Sequence, residues 1–323
     1  MRADLDARPG GPLDVGSLDD ALTHAAALDT LVVDGDRRLS SVALEDEVAR
    51  VAGGLVAAGV EPGDGVSWQR PNGIDAVVLY RACWRAGAVA VPIHNLAGAV
   101  DIDVIMEDTT PRLFIAADVP LPVDRARPAT DSRANRDSAA AVLFTSGSSG
   151  RPKGVIHTHR SLTYKAQLMA RVHGLGQDDA VLMPAPLAHI SGLLNGVMLP
   201  GVVPMKAVMM ARWDPDEALR VIERERITFM IGPPTFFIGL MGAATFSPTA
   251  VESLRLISSG GAGVTAAFVE EASAKLGCTV KRTYGSTEAP TVTTTQHGDD
   301  PLRAVTTDGR PTGTVELRTD VAT

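Results

Sequence analysis

Cysteine is nearly absent from this chain of 323 residues, with Cys83 and Cys278 the whole supply. Two thiols exclude a disulfide framework and a four-cysteine zinc site, so each reads as a small buried hydrophobe and the setting as a reducing cytoplasm. Long apolar runs are missing too. No stretch approaches 18 uninterrupted apolar residues, and the opening MRADLDARPGGPLD has no apolar core of a signal peptide, which predicts a soluble, cytoplasmic protein without a transmembrane segment. Basic residues are in deficit, 30 against 38 acidic ones, so a nucleic-acid partner is not expected. A single nucleotide, needing only a few local donors, stays open. There is no internal repeat and no low-complexity tract.

What the chain does have is alternation. Short β-branched and apolar runs at residues 31–35, 65–69 and 88–93 are separated by helical patterns at 41–59 and 74–87, and the same rhythm returns after residue 138. This is the pattern of an α/β fold. Strands are predicted at 140–145, 180–185, 226–232, 254–260 and 279–285, and helices at 161–174, 214–226 and 265–277. The clearest helix start is Asp214-Pro215, a capping side chain followed by a proline suited to the first turn. Residues 120–137 are rich in proline, arginine and aspartate and lack hydrophobic periodicity. They predict a boundary between a first α/β lobe (1–137) and a second (138–300), each a sheet layered with helices, with the opening of a β-rich subdomain at 301–323.

The most informative segment runs from an apolar strand into Thr145-Ser146-Gly147-Ser148-Ser149-Gly150 and on to Lys153-Gly154. Glycines let backbone N–H groups turn toward an anion, the hydroxyls add donors, and Lys153 adds a positive charge; in composition this is a triphosphate cradle. A Walker loop needs Gly-Lys-Ser/Thr, and here Lys153 lies between Pro152 and Gly154. His157 and His159 form a His-x-His with no further His or Cys nearby, so metal ligation is not expected of them. His189, between apolar neighbours and a glycine, would alone read as a core histidine. Ser258-Ser259-Gly260-Gly261-Ala262-Gly263 reads as a strand ending in a small-residue turn that lets a flat ring approach the backbone. Arg282-Thr283-Tyr284-Gly285-Ser286-Thr287-Glu288 ends a strand in polar groups.

Taken in order, these four motifs closely resemble those of the adenylate-forming (AMP-binding) superfamily, which includes acyl-CoA synthetases, peptide-synthetase adenylation domains and luciferases. Ser149 stands where threonine is commoner, and Gly263 where proline is common. The resemblance implies a phosphate site of Thr145, Ser146, Gly147, Ser148, Ser149, Gly150, Lys153 and Thr287. It implies an adenine site of Gly260, Gly261, Ala262, Arg282, Thr283 and Tyr284, and an acyl site of His189, Ile190, Gly232, Pro233, Gly261, Gly285 and Ser286. Lys153, His189, Thr287 and Glu288 would be the catalytic residues, with Glu288 holding Mg²⁺.

The activity so implied is that of an acyl-CoA synthetase resembling fatty-acid–CoA ligases. A carboxylate attacks the α-phosphorus of ATP to give acyl-AMP and pyrophosphate, and CoA then takes the acyl group. Carboxylic acid, ATP and CoA are the implied partners, with a homodimer as a possible assembly. No enzyme nucleophile is needed, so the lack of a Ser-His-Asp set does not count against an enzyme. No Asp or Lys falls among the expected acyl residues to hold an amino acid's ammonium, which favours a simple organic acid. A peptide-type adenylation domain and a non-catalytic nucleotide-binding protein are the alternatives. After Glu288 the resemblance predicts a complete β-rich subdomain and a mobile C-terminal domain with a catalytic lysine; neither is in the sequence, so residues 1–323 alone are expected to bind ATP or acyl-AMP weakly and to form little thioester.

Overall fold

A computed structural model describes residues 15–23, 28–145 and 151–318. The described strands are β1 (Val32–Asp34), β2 (Arg37–Leu39), β3 (Gly65–Gln69), β4 (Val89–Ile93), β5 (Leu113–Ile115), β6 (Ala139–Thr145) and β7 (Lys153–Thr158). They continue as β8 (Ala180–Met183), β9 (Lys206–Met209), β10 (Phe229–Gly232), β11 (Leu256–Gly260), β12 (Thr279–Tyr284), β13 (Thr293–Thr294) and β14 (Arg310–Pro311). Two sheets result, in the orders β5-β3-β4-β6-β7 and β14-β13-β12-β11-β10-β8-β9-β1-β2. Their interiors are parallel, with antiparallel pairing at the β6–β7, β1–β2, β12–β13 and β13–β14 edges. Helices cover parallel strands on both faces, which is why β4, β8 and β10 are apolar at every position rather than alternating.

The sheets do not respect the division expected near residue 137. β6 and β7 lie beyond that point yet complete the sheet of β3–β5, whereas β1 and β2, from the chain's opening part, form an edge of the other sheet. Nor do residues 301–318 open a separate β-rich unit, because β14 pairs with β13 and extends the larger sheet. The reason is pairing at long sequence range: Val32–Asp34 run parallel to Ala207–Met209, and Ala90 pairs with Ala141. Hydrophobic periodicity identifies a strand but not its neighbour.

The helix Ile74–Ala86 is buried at every position except Asp75 and joins the two sheets. Trp68 and Tyr80 meet edge to face at 4.9 Å between ring centroids, and Tyr80 tilts on Trp84 at 5.6 Å. Each buried ring uses its polar handle: Tyr80 Oη donates to the Leu187 carbonyl at 2.7 Å and Trp84 Nε1 to the Ala140 carbonyl at 3.0 Å. Just before this helix, the buried Asn72 donates through Nδ2 to the carbonyls of Met183 (3.2 Å), Ala185 (2.8 Å) and Met210 (3.3 Å), while its Oδ1 accepts from Leu187 N–H at 2.8 Å. The ends of β8 and β9 are thereby tied to the smaller sheet's helix. On the helix's other side, buried Arg85 pairs with Asp19 (3.0 Å) and Glu45 (2.7 Å), and Arg81 also pairs with Glu45, which leaves these guanidinium charges compensated. No helix among the described residues is long and apolar enough to cross a membrane.

Two expectations follow. Asn72→Ala leaves buried carbonyls and an N–H unpaired and is expected to lower stability by about 2–4 kcal/mol, read by denaturant unfolding; a loss below 1 kcal/mol, given roughly as the lower limit for one such group, would contradict the assignment. The second concerns pH. Burial pushes His173 down to about 3 and His159 down to about 4 from an ordinary 6.5, and His159 Nδ1 accepts the Leu18 N–H. As pH falls below 6.5 the unfolded chain takes up these protons and the folded one does not, so stability should fall with pH. The slope is about 1.4 kcal/mol per unit for each histidine, ending near pH 4 for His159 and near pH 3 for His173. Unfolding measured between pH 7 and 4 should show a shallower slope in His173→Gln; an unchanged slope would contradict it.

Candidate active site

The motif loops leave the C-terminal ends of parallel strands and meet where the two sheets face each other. There they wall a cavity of about 570 Å³. The smaller sheet contributes Leu143, Phe144 and Thr145 from the end of β6. The larger sheet contributes Ile231 and Gly232 from β10, Gly260 from β11 and Thr283 from β12, together with Gly261, Gly285, Ser286, Thr287 and Thr291 from the loops that follow. A crevice beyond the carboxyl ends of parallel strands is where open α/β sheets bind ligands.

Thr145 sits directly opposite Lys153 across the β6–β7 hairpin. The segment from Ser146 to Gly150, read as the phosphate cradle, lies outside the described residues. Lys153 is exposed at the mouth of the hairpin, not in the cavity wall. β7 itself is a strand that the sequence reading did not anticipate. It carries His157 inward, where burial lowers its pKa against the opposing pull of the Thr287 backbone and the Glu288 carboxylate. The hairpin of one sheet thus touches the Thr287-Glu288 turn of the other.

Glu288 is exposed and outside the wall. Its own backbone N–H and the Ser286 hydroxyl hold its carboxyl below the usual range, with smaller help from His157 and Lys153. An ionised, outward-facing carboxylate beside the Ser286 and Thr287 hydroxyls suits Mg²⁺, which takes one or two carboxylates and completes its shell with substrate oxygens and water. Among the described residues no cluster of three or more His, Cys, Asp or Glu could hold a metal unaided.

The turn after β12 is held from behind. Thr291 has a left-handed φ of 52°, and Lys165 Nζ donates to its carbonyl and to Thr312 Oγ1, both at 3.3 Å. Burial lowers Lys165 to about 8. Gly285 is required on steric grounds, since a Cβ there would lie 2.4 Å from Thr291 N. Gly261 adopts φ 75°, a left-handed turn that glycine enters without strain.

His189 follows the Asn72-anchored segment, and its N–H donates to the Pro186 carbonyl at 3.0 Å. One side of the imidazole is open, yet its surroundings and then the neighbouring His94 hold it below the ordinary histidine range. The two rings lie 5.3 Å apart at 44°. His94 stands just beyond β4 and accepts the Leu96 N–H through Nδ1 at 3.1 Å. It was not foreseen as a site residue, because nothing local to residues 88–97 indicates that β4 ends facing His189.

Of the expected residues, Thr145, His189, Ile190, Gly232, Pro233, Gly260, Gly261, Thr283, Gly285, Ser286 and Thr287 line the one cavity. Lys153, Ala262, Arg282, Tyr284 and Glu288 do not. Arg282 is a correction: side chains alternate along β12, so with Thr283 facing the cavity Arg282 points away, and its Nε pairs with Asp308 at 2.9 Å. Tyr284 is 63% exposed at the strand's end. The sequence reading did not include Phe144, Ser191, Leu194, Asn195, Phe236 and Thr291 among the wall residues. Phe236 has a local signal in its place on the first turn of the helix Pro234–Met241, just after Gly232-Pro233; Asn195 has none, since its facing depends on an irregular helix turn.

Comparison with known proteins agrees with this geometry. A family model described as AMP-binding enzyme matches residues 21–320. The medium-chain fatty-acid–CoA ligase of Escherichia coli (strain K12) is 29% identical over 316 residues, covering 85% of this chain and 56% of that protein. A feruloyl-CoA synthase of Amycolatopsis sp is 31% identical over 279 residues, covering 80% and 56%. The chain therefore spans little more than half the length of these relatives. Among solved structures, the anthranilate CoA ligase AuaEII in complex with anthranoyl-AMP superposes with a TM-score of 0.84 over 92% of this chain and 63% of that one, at 22% identity, a likeness of fold. With the motifs gathered on one cavity and the family model covering nearly the whole chain, this protein belongs to the AMP-binding enzyme family.

Proposed function

We propose that this chain is the ATP- and acid-binding part of an acyl-CoA synthetase, activating a carboxylic acid as its acyl-adenylate for transfer to CoA. The observation that carries the reading is one cavity walled by Thr145 from the smaller sheet and by His189, Gly261 and Thr287 from the larger. Those residues belong to all four motifs. The related CoA ligases and the anthranoyl-AMP held by the structural neighbour support the same chemistry.

The reaction brings two anions together, and its main obstacle is their repulsion. The acid's carboxylate oxygen attacks the α-phosphorus of ATP, the bond to the β-phosphate oxygen breaks, and pyrophosphate leaves. Lys153 and the hydroxyl loop 145–150 are assigned to the β- and γ-phosphates, and Thr287 to the α-phosphate. His189 is assigned to orienting the carboxylate. Its lowered pKa keeps it neutral at physiological pH, so it orients by hydrogen bonding rather than by charge. Glu288 would hold Mg²⁺, which when bound neutralises phosphate charge. Donors fixed before the reaction begins stabilise the charge that develops, and holding both reactants in line supplies much of the rest.

The adenine ring is assigned to the Gly260-Gly261 turn and Tyr284, and the acyl group to the side walled by Ile190, Leu194, Ile231, Pro233 and Phe236. No Asp, Glu, Lys or Arg stands among the described residues of the wall, so an amino acid's ammonium would lack a counter-charge. This supports a simple organic acid over a peptide-synthetase substrate. A reducing cytoplasm suits both the two free thiols and the supply of ATP and CoA.

Acid-dependent exchange of pyrophosphate into ATP, measured across a panel of carboxylic acids with the complete gene product, tests the reading. Lys153→Ala is expected to lower exchange by about 100-fold or more, the scale of a lost transition-state donor. Exchange unchanged in the variant would remove Lys153 from the site, and no exchange with any acid would remove the function.

A further inference from the structure

The turn that carries Ser286 and Thr287 lies between β12 and β13 and belongs to neither strand. It is bonded within itself by Ser286 N–H to the Ala289 carbonyl (3.1 Å) and by Ala289 N–H to Ser286 Oγ (3.3 Å). At its far end Thr291, a β-branched residue on the cavity wall, adopts φ 52°, a conformation that such a residue keeps only where its surroundings enforce it. The enforcement comes from behind the wall. The Thr291 carbonyl accepts from Thr312 Oγ1 at 2.6 Å and from Lys165 Nζ at 3.3 Å, and Lys165 also donates to Thr312 Oγ1 at 3.3 Å. Lys165 does not line the cavity. It sits on the helix His159–His173, which follows β7 directly, so the element leaving the Lys153 hairpin reaches across to hold the Thr287 turn.

An ammonium is a costly way to hold two neutral oxygens. No carboxylate among the described residues offsets the charge of Lys165, and an unbranched apolar side chain would fill the space without that cost. What the charge supplies is strength, since a hydrogen bond from an ionised donor is about twice as strong as one from a neutral donor. We propose that Lys165 is a positioning residue for acid activation, holding Thr291 in its left-handed conformation and thereby setting where Thr287 meets the α-phosphate. The inference rests on the acid-activating function proposed above and adds to it a group that touches neither substrate. Charged groups on the neighbouring elements are engaged elsewhere: Arg160 with Asp137, Arg310 with Asp299, Asp19 with Arg85, Asp20 with Ser17, and Glu288 with the Ser286 hydroxyl. Lys281, which burial also lowers to about 8, donates to the Val172 carbonyl at the far end of the same helix.

Acid-dependent exchange of pyrophosphate into ATP by the complete gene product, followed over about two pH units either side of the Lys165 value of about 8, tests it. Lys165→Met should lower kcat for exchange about tenfold or more, within the roughly 100-fold that a 1 Å misplacement can cause, and leave KM for ATP within about threefold of wild type. In the wild type kcat should fall as pH rises through about 8, because the amine is a weaker donor than the ammonium. Lys165→Arg, which stays charged, should recover most of kcat and move that fall above about pH 9.5. The arginine variant keeps the test decisive should the methionine variant fail to fold. A methionine variant with wild-type kcat, an arginine variant as slow as the methionine one, or a fall at the same pH in Lys165→Arg overturns the inference while leaving acid activation standing. No exchange by the wild type with any acid removes the proposed function, and the inference falls with it.

Discussion

The buried amide of Asn72 is the constraint on which the rest of the site depends. One side chain satisfies three carbonyls and one N–H belonging to the ends of β8 and β9 and to the segment between Met183 and Leu187. These groups sit at or just beyond the ends of β8 and β9, those around Met183–Leu187 shortly before His189, and burial denies them water. Tyr80, further along the same connection in the helix Ile74–Ala86, holds Leu187 by its carbonyl. Position is therefore passed from the smaller sheet's helix to the larger sheet's active-site loop by hydrogen bonds rather than by apolar contact, which would leave the loop free to slide. Trp84 does the same for the start of β6, so both walls of the cavity are referred to one helix.

How much of this was legible in the sequence follows from range. The runs at 140–145, 180–185, 226–232, 254–260 and 279–285 mark strands because parallel strands covered on both faces must be apolar, and each lies on or overlaps an observed strand. The boundary at 137 misled because charge and proline report solvent exposure, not sheet membership; residues 120–137 cross the surface and return the chain to the sheet it had just left. The short β9 and the strand β7 escaped notice, the first for its brevity and the second because the glycine- and hydroxyl-rich loop before it reads as continuing.

The site divides in the same way. That Thr145, Gly260, Gly261 and Thr287 lie on a shared cavity follows from strand-end turns whose residues are contiguous in sequence. His94 and Asn195 have no such signal, since one becomes relevant only when two sheets are placed face to face and the other only through a π-turn. Arg282 shows the converse error: contiguity with Thr283 suggested a shared role, and the two-residue alternation of β12 turns the Arg282 side chain the other way.

Two sheets packed on a shared hydrophobic core thus present loops to a common cleft, and the account's central claim is that ATP is bound by both at once. Hydrogen exchange of residues 1–323, with and without ATP and Mg²⁺, tests this most directly. The account predicts that nucleotide slows exchange together in the β6–β7 hairpin of the smaller sheet and in the turn from Gly285 to Thr291 of the larger. Protection confined to one of these segments, or found only away from the cavity, would contradict it.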